Sequence, residues 1–87
     1  MKMKTVQILD LLERRRALRI IWELRKKRQN FRALLLAAET NPNVLNSRLK
    51  DLRSAGVVDH QDGGYGLTRH GLKLAELLKS LKKWALK

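Results

Sequence analysis

Eighty-seven residues allow one domain with one modest core, not two. Twenty Lys and Arg against eight Asp and Glu leave a formal net charge of +12, which points to a polyanionic partner, nucleic acid before an acidic membrane surface. With no cysteine, disulfides, thiolate metal sites and thiol redox sensing are excluded, and no apolar run approaches the roughly 20 residues of a membrane span.

Met1-Lys2-Met3-Lys4 is basic, but Asp10 and Glu13 interrupt the stretch where a signal peptide would be apolar. A cytoplasmic location is therefore expected. Thr5 is read as the N-cap of a first helix, with Ile8, Leu9, Leu11 and Leu12 making a broad apolar face. Arg14-Arg15-Arg16 marks a bend, although no Gly or Pro enforces one, so continuous helix to about Arg28 stays open. Ala17, Ile20, Ile21 and Leu24 align on one face of a second helix, with Trp22 at its edge. There the ring either covers the core or meets a second subunit. Arg25-Lys26-Lys27-Arg28 is expected to close that helix, cations near its C-terminus being favoured by the macrodipole.

Asn30 caps a short third helix, with Phe31, Leu34, Leu35 and Ala38 inward and an end near Glu39. Thr40-Asn41-Pro42 turns into a fourth helix, Asn41 as N-cap and Pro42 at the first helical position, where its missing N–H costs nothing. Leu45, Leu49 and Leu52 recur at i, i+4, i+7, while Asn43, Asn46, Ser47 and Lys50 share the other side. Gly56 ends the helix, Val57-Val58 starts a strand, Asp62-Gly63-Gly64 is hairpin-turn chemistry, and Tyr65-Gly66-Leu67 returns. Thr68 caps a last helix reaching Trp84. In it Leu74, Leu77, Leu78, Leu81 and Ala85 oppose Glu76, Lys79 and Lys83. The fold class is mostly α with a small β-hairpin. Helix, tight turn and two-stranded wing follow in the order of a winged helix-turn-helix, one domain over residues 1–87.

The chain resembles the HxlR branch of the MarR-like winged-helix transcriptional regulators. Phe31-Arg32-Ala33-Leu34 looks like the family's Arg-Phe-x-x-Leu, with Asn30 in place of its Arg. Leu45-x-x-Arg48-Leu49-Lys50-Asp51-Leu52, followed by Gly56-Val57-Val58, is similar to the family's recognition helix and strand start. Tyr65-Gly66-Leu67-Thr68-Arg69-His70-Gly71 resembles its Tyr-x-Leu-Thr-x-x-Gly segment, and Trp84 stands where the family often has Trp. The likeness spans about residues 17 to 85. The chain departs from the pattern in having Arg16 where a Trp is common, a shorter wing, and no N-terminal sensing cysteine. A generic MarR-like or archaeal winged helix stays open.

On this reading Asn43, Asn46, Ser47 and Lys50 face the major groove, since Asn suits adenine, Lys guanine and Ser a base or phosphate. The alternative is an ordinary solvated helix face. Arg48 is expected to pack its stem and reach a phosphate. Arg53 is either a phosphate contact or a surface charge, and Arg32 and Arg69 add phosphate affinity. In the wing, His60 and Gln61 are better contacts than the acids Asp59 and Asp62. His60 and His70 lack metal-ligand spacing, so no metal and no cofactor is expected. No phosphate-binding loop, nucleophile elbow or helical His pair argues for an enzyme. The terminal helices, about residues 5–15 and 68–85, hold more apolar side chains than one small core needs: Ile8, Leu9, Leu11, Leu12, Leu77, Leu81 and Trp84. The resemblance implies that they form a homodimer seam. Double-stranded DNA is the expected partner and no membrane is involved. No polar constellation argues for a small-molecule effector, and operator and direction of regulation stay open. The alternatives are a winged-helix module for protein or RNA, and a non-specific nucleoid-type DNA binder.

Overall fold

The computed structural model describes residues 5–86, with side chains from residue 7 onward. Five helices and one hairpin follow in the order α1 (Thr5–Glu13), α2 (Ala17–Leu24), α3 (Phe31–Ala37), α4 (Pro42–Ser54), β1 (Val58–Gln61), β2 (Gly64–Leu67) and α5 (Arg69–Ala85). Thr5 is the first residue of α1, and its side chain lies outside the described residues, as do Met1 to Lys4.

Short-range signals set most boundaries. The side chains of Asn30, Asn41 and Thr68 accept from the backbone N–H of Ala33, Val44 and Gly71, three N-caps in three helices. Gly56, at φ +76°, closes α4: its N–H donates to the Arg53 carbonyl and that of Val57 to the Leu52 carbonyl, the paired bonds of a Schellman end. Asp62 and Gly63 both take positive φ, 53° and 74°, between the paired residues Gln61 and Gly64. That is the two-residue turn whose twist matches an antiparallel hairpin.

The structure settles one boundary that the sequence left open and moves another. The first two helices are separate: Arg16 sits in the left-handed region (φ 68°) just before α2, so the chain turns without Gly or Pro. Helix α2 also ends at Leu24, not Arg28. Its continuation is recruited by the wing instead, Gln29 exchanging two backbone hydrogen bonds with Tyr65 (2.9 and 2.7 Å) as a third rung beside β2.

The core is built from one face of each helix and the inner edge of the wing. Ile20, Ile21, Leu34, Leu45, Leu52 and Val57 are its fully buried large side chains. Leu11 joins them at 4% exposure, and Ile8 and Leu12 pack partly against the same cluster. Leu11 therefore serves the chain's own core, which removes its side chain from any seam. Helix α5 contributes Gly71, Leu74, Ala75 and Leu78, whereas Leu77, Leu81 and Trp84 are exposed by 67%, 54% and 71%. With Leu9 of α1 at 56%, they leave apolar surface uncovered on both terminal helices.

Candidate nucleic-acid interface

With Leu45, Leu49 and Leu52 buried, the geometry of a helix turns Asn43, Asn46, Ser47 and Lys50 outward, and all four are exposed. The C-terminal half of this face opens onto a groove shared with the first strand of the wing, lined by Lys50, Arg53, Ser54, Val58, Asp59 and His60. Two cations and an imidazole thus stand between α4 and β1. His60 lies flat on Tyr65 across the hairpin, ring centroids 4.1 Å apart and planes within 8°, which fixes its orientation at the groove edge. Gln61 is exposed beside the turn.

Arg48 behaves only in part as expected. Its stem is packed, the side chain being 16% exposed, but its Nε faces Asp51 Oδ2 at 3.6 Å and makes no hydrogen bond. The same oxygen accepts from Arg14 Nη1 at 2.8 Å, so Asp51 ties the α1–α2 break to α4. Arg48 borders that junction, and the groove lining contains Lys50 and Arg53 without it. Arg32 is exposed on the first turn of α3 and Arg69 on the first turn of α5, neither among the groove's lining residues. His70 is exposed, and among the described residues no group of three His, Cys, Asp or Glu side chains could hold a metal ion.

Arg28 is the side chain that the sequence reading missed. Its Nη1 lies 2.6 Å from Asp59 Oδ1, and its Nη2 donates to the carbonyls of Gln61 (3.3 Å) and Gly64 (3.2 Å). One guanidinium thereby clasps both strands of the hairpin next to its turn. Asp59 Oδ1 is buried and accepts no well-aligned hydrogen bond, so the Arg28 charge is what offsets its desolvation. The adjoining Gly66 leaves room for the Arg28 stem, which a Cβ there would strike. Placing this residue at the wing needed the Gln29–Tyr65 rung, which no local pattern announces. Arg28→Ala should cost about 1 to 2 kcal/mol, since the pair is part-exposed, and should loosen the hairpin first. Hydrogen exchange faster at Tyr65 and Gln29 than in α2 would show it; uniform exchange would refute it.

No helix among the described residues is long and apolar enough to cross a membrane. A search of curated proteins gave no match. Among solved structures, the chain is similar to the quinone-bound YodB from B. subtilis, with a TM-score of 0.83 and 26% identity over 90% of each chain. The likeness extends over nearly the whole fold described above. The profile described as HxlR-like helix-turn-helix matches residues 11–87, a span that includes α2 to α5 and the wing. On that match and this architecture, the chain belongs to the HxlR-like helix-turn-helix family of DNA-binding transcription regulators.

Proposed function

We propose that the chain binds double-stranded DNA sequence-specifically as a homodimer, and regulates transcription in the cytoplasm of a prokaryotic cell. The observation that carries this reading is the exposed polar face of α4, which is free of acids from Asn43 to Lys50 and opens onto the groove against β1. Asn43, Asn46, Ser47 and Lys50 offer base-edge donors and acceptors there, with His60 and Gln61 at the wing and Arg53 toward a phosphate. Arg32, Arg48 and Arg69 are assigned phosphate contacts outside the groove. The uncovered side chains Leu9, Leu77, Leu81 and Trp84 support a second copy seated on the terminal helices, with Ile8 and Leu12 at the seam's inner edge. Two recognition helices about one helical turn apart call for a roughly palindromic operator.

Selection from a random duplex pool, followed by salt titration on the selected and an unrelated sequence, tests the reading. A palindromic motif and salt-dependent affinity are expected; affinity equal on both duplexes would overturn specificity. Lys50→Ala should cost about 1 to 3 kcal/mol on the selected site and relax one position of each half-site. An even loss across sequences, with the salt slope reduced by about one unit, would make Lys50 a phosphate contact instead. The distribution of charge favours a second reading, a winged-helix module that binds protein or RNA through its basic first two helices. Residues 42–67 carry three bases (Arg48, Lys50, Arg53) and three acids (Asp51, Asp59, Asp62), so the reading elements are neutral overall. Tighter binding to RNA or to an acidic protein than to any duplex would select that reading, whereas a pool that returns no motif would select a non-specific nucleoid-type DNA binder.

A further inference from the structure

The net charge that α4 and the wing lack is held elsewhere. Residues 14–32 contain nine bases and one acid, and residues 68–87 six bases and one acid. The two segments meet at Trp22. On α2 the guanidinium of Arg25 lies over the Trp22 ring, its Cζ 3.9 Å from the centroid, and from α5 the Lys82 ammonium approaches the same ring at 5.1 Å. Leu18 and Leu78 complete an open apolar floor, with Arg19 at its rim. The neighbouring acid, Glu23, is 10% exposed and already shared by Arg19 (3.4 Å) and Lys26 (3.2 Å). It therefore leaves Arg25 and Lys82 without an acidic partner among the described residues.

The geometry points to a second polyanion site here: a patch formed by α2 and α5 around Trp22 that grips a nucleic-acid phosphate backbone without reading sequence. The identity of the polyanion rests on the DNA-binding reading above. A guanidinium whose central carbon stands 3.9 Å over an indole is held there by cation–π attraction, and its N–H donors remain available to a phosphate. Holding the cation in place also lowers the side-chain entropy lost when phosphate binds. Both cations stand over the same ring, which serves to orient them. The patch shares no residue with the α4–β1 groove, hence its contribution should be separable from specificity.

The test uses the whole chain, carrying Arg25→Gln and Lys82→Gln together, on a long random-sequence duplex and on the selected operator. Each phosphate contact contributes about 0.9 to the slope of log affinity against log salt. The double variant should lower that slope by about one to two units per bound protomer on both duplexes while returning the same selected motif. A control variant, Arg15→Gln with Lys83→Gln, removes the same charge from exposed side chains off the patch and should lower it by less. Circular dichroism confirms that each variant is folded. Equal slopes for the two variants would overturn the proposal, leaving only a general charge effect. An unchanged slope, with loss of binding to polyglutamate, would overturn it in favour of an acidic protein partner. Wild type that shows no motif, but keeps the patch-dependent slope, would refute the specific operator reading and leave this site standing.

Discussion

Gly71→Ala should lower the thermal midpoint by about 10 °C or more, although alanine is the better helix former by about 1 kcal/mol. Gly71 is buried in the first turn of α5, where a Cβ would run into the backbone carbonyl oxygen of Val57 and come within 3.2 Å of Leu67 Cδ2. A carbonyl cannot rotate away as a side-chain tip can. This one also accepts the Thr68 N–H at 3.0 Å, so moving it disturbs the junction between wing and α5. Thr68 Oγ1 closes the same corner by donating to the Gly56 carbonyl at 2.6 Å. Relief requires α5 to lift from the core, exposing part of Ala75 and Leu74, and overpacking of this kind costs about 1 to 3 kcal/mol or more. Gly63→Ala supplies the contrast. Nothing lies within 4 Å of its Cβ position, and only the left-handed φ of +74° opposes it, a cost of about 1 to 2 kcal/mol. Thermal unfolding of both variants decides the point: a Gly71→Ala midpoint at or above wild type would show that the junction yields freely.

The contrast also shows which parts of this fold are legible in the sequence. The caps at Asn30, Asn41 and Thr68, the stop at Gly56 and the turn at Asp62-Gly63 are each written within four residues, and the structure forms all of them. The break at Arg16 is written only as a basic run that leaves continuous helix open, because an arginine held at φ 68° replaces the Gly or Pro that would enforce it. Arg28 is misplaced for a related reason. Its partners stand 31 to 36 residues away, and as part of a basic run it fits a helix end equally well. In α5 the leucines occupy two neighbouring stripes, Leu74 and Leu78 on one, Leu77, Leu81 and Trp84 on the other. Periodicity alone merges them, and only packing against α2 and the wing assigns the first stripe to the core. The exposed face of α4 was legible because its buried leucines fix the rotation of the helix. The neutrality of α4 and the wing was equally readable, but net charge taken over the whole chain conceals it. On the proposed DNA-binding reading, phosphate affinity then has to come largely from other surfaces.

Leu81→Glu should abolish self-association while leaving the folded monomer nearly untouched. Leu81 is 54% exposed in the monomer, so a carboxylate there stays in water and should change monomer stability by no more than about 0.5 kcal/mol. In a seam formed by α5 and α1, the same carboxylate would be an unpaired charge between apolar surfaces, one in each copy, with a cost of several kcal/mol. The dissociation constant should rise by about a hundredfold or more, since 1.4 kcal/mol is a factor of ten. Sedimentation equilibrium at tens of micromolar should give twice the 10.1 kDa chain mass for wild type and the chain mass alone for the variant. Leu36→Glu is the matched control. Leu36 is 75% exposed and belongs to α3, not to either terminal helix, and its substitution should leave the dimer intact. Operator binding should fall with the Leu81 variant and not with the Leu36 variant, because one half-site offers too few base contacts for specific affinity. A wild type sedimenting as a monomer, without DNA, would remove the seam before either variant is made. The reading face of α4 would then have to bind a single half-site.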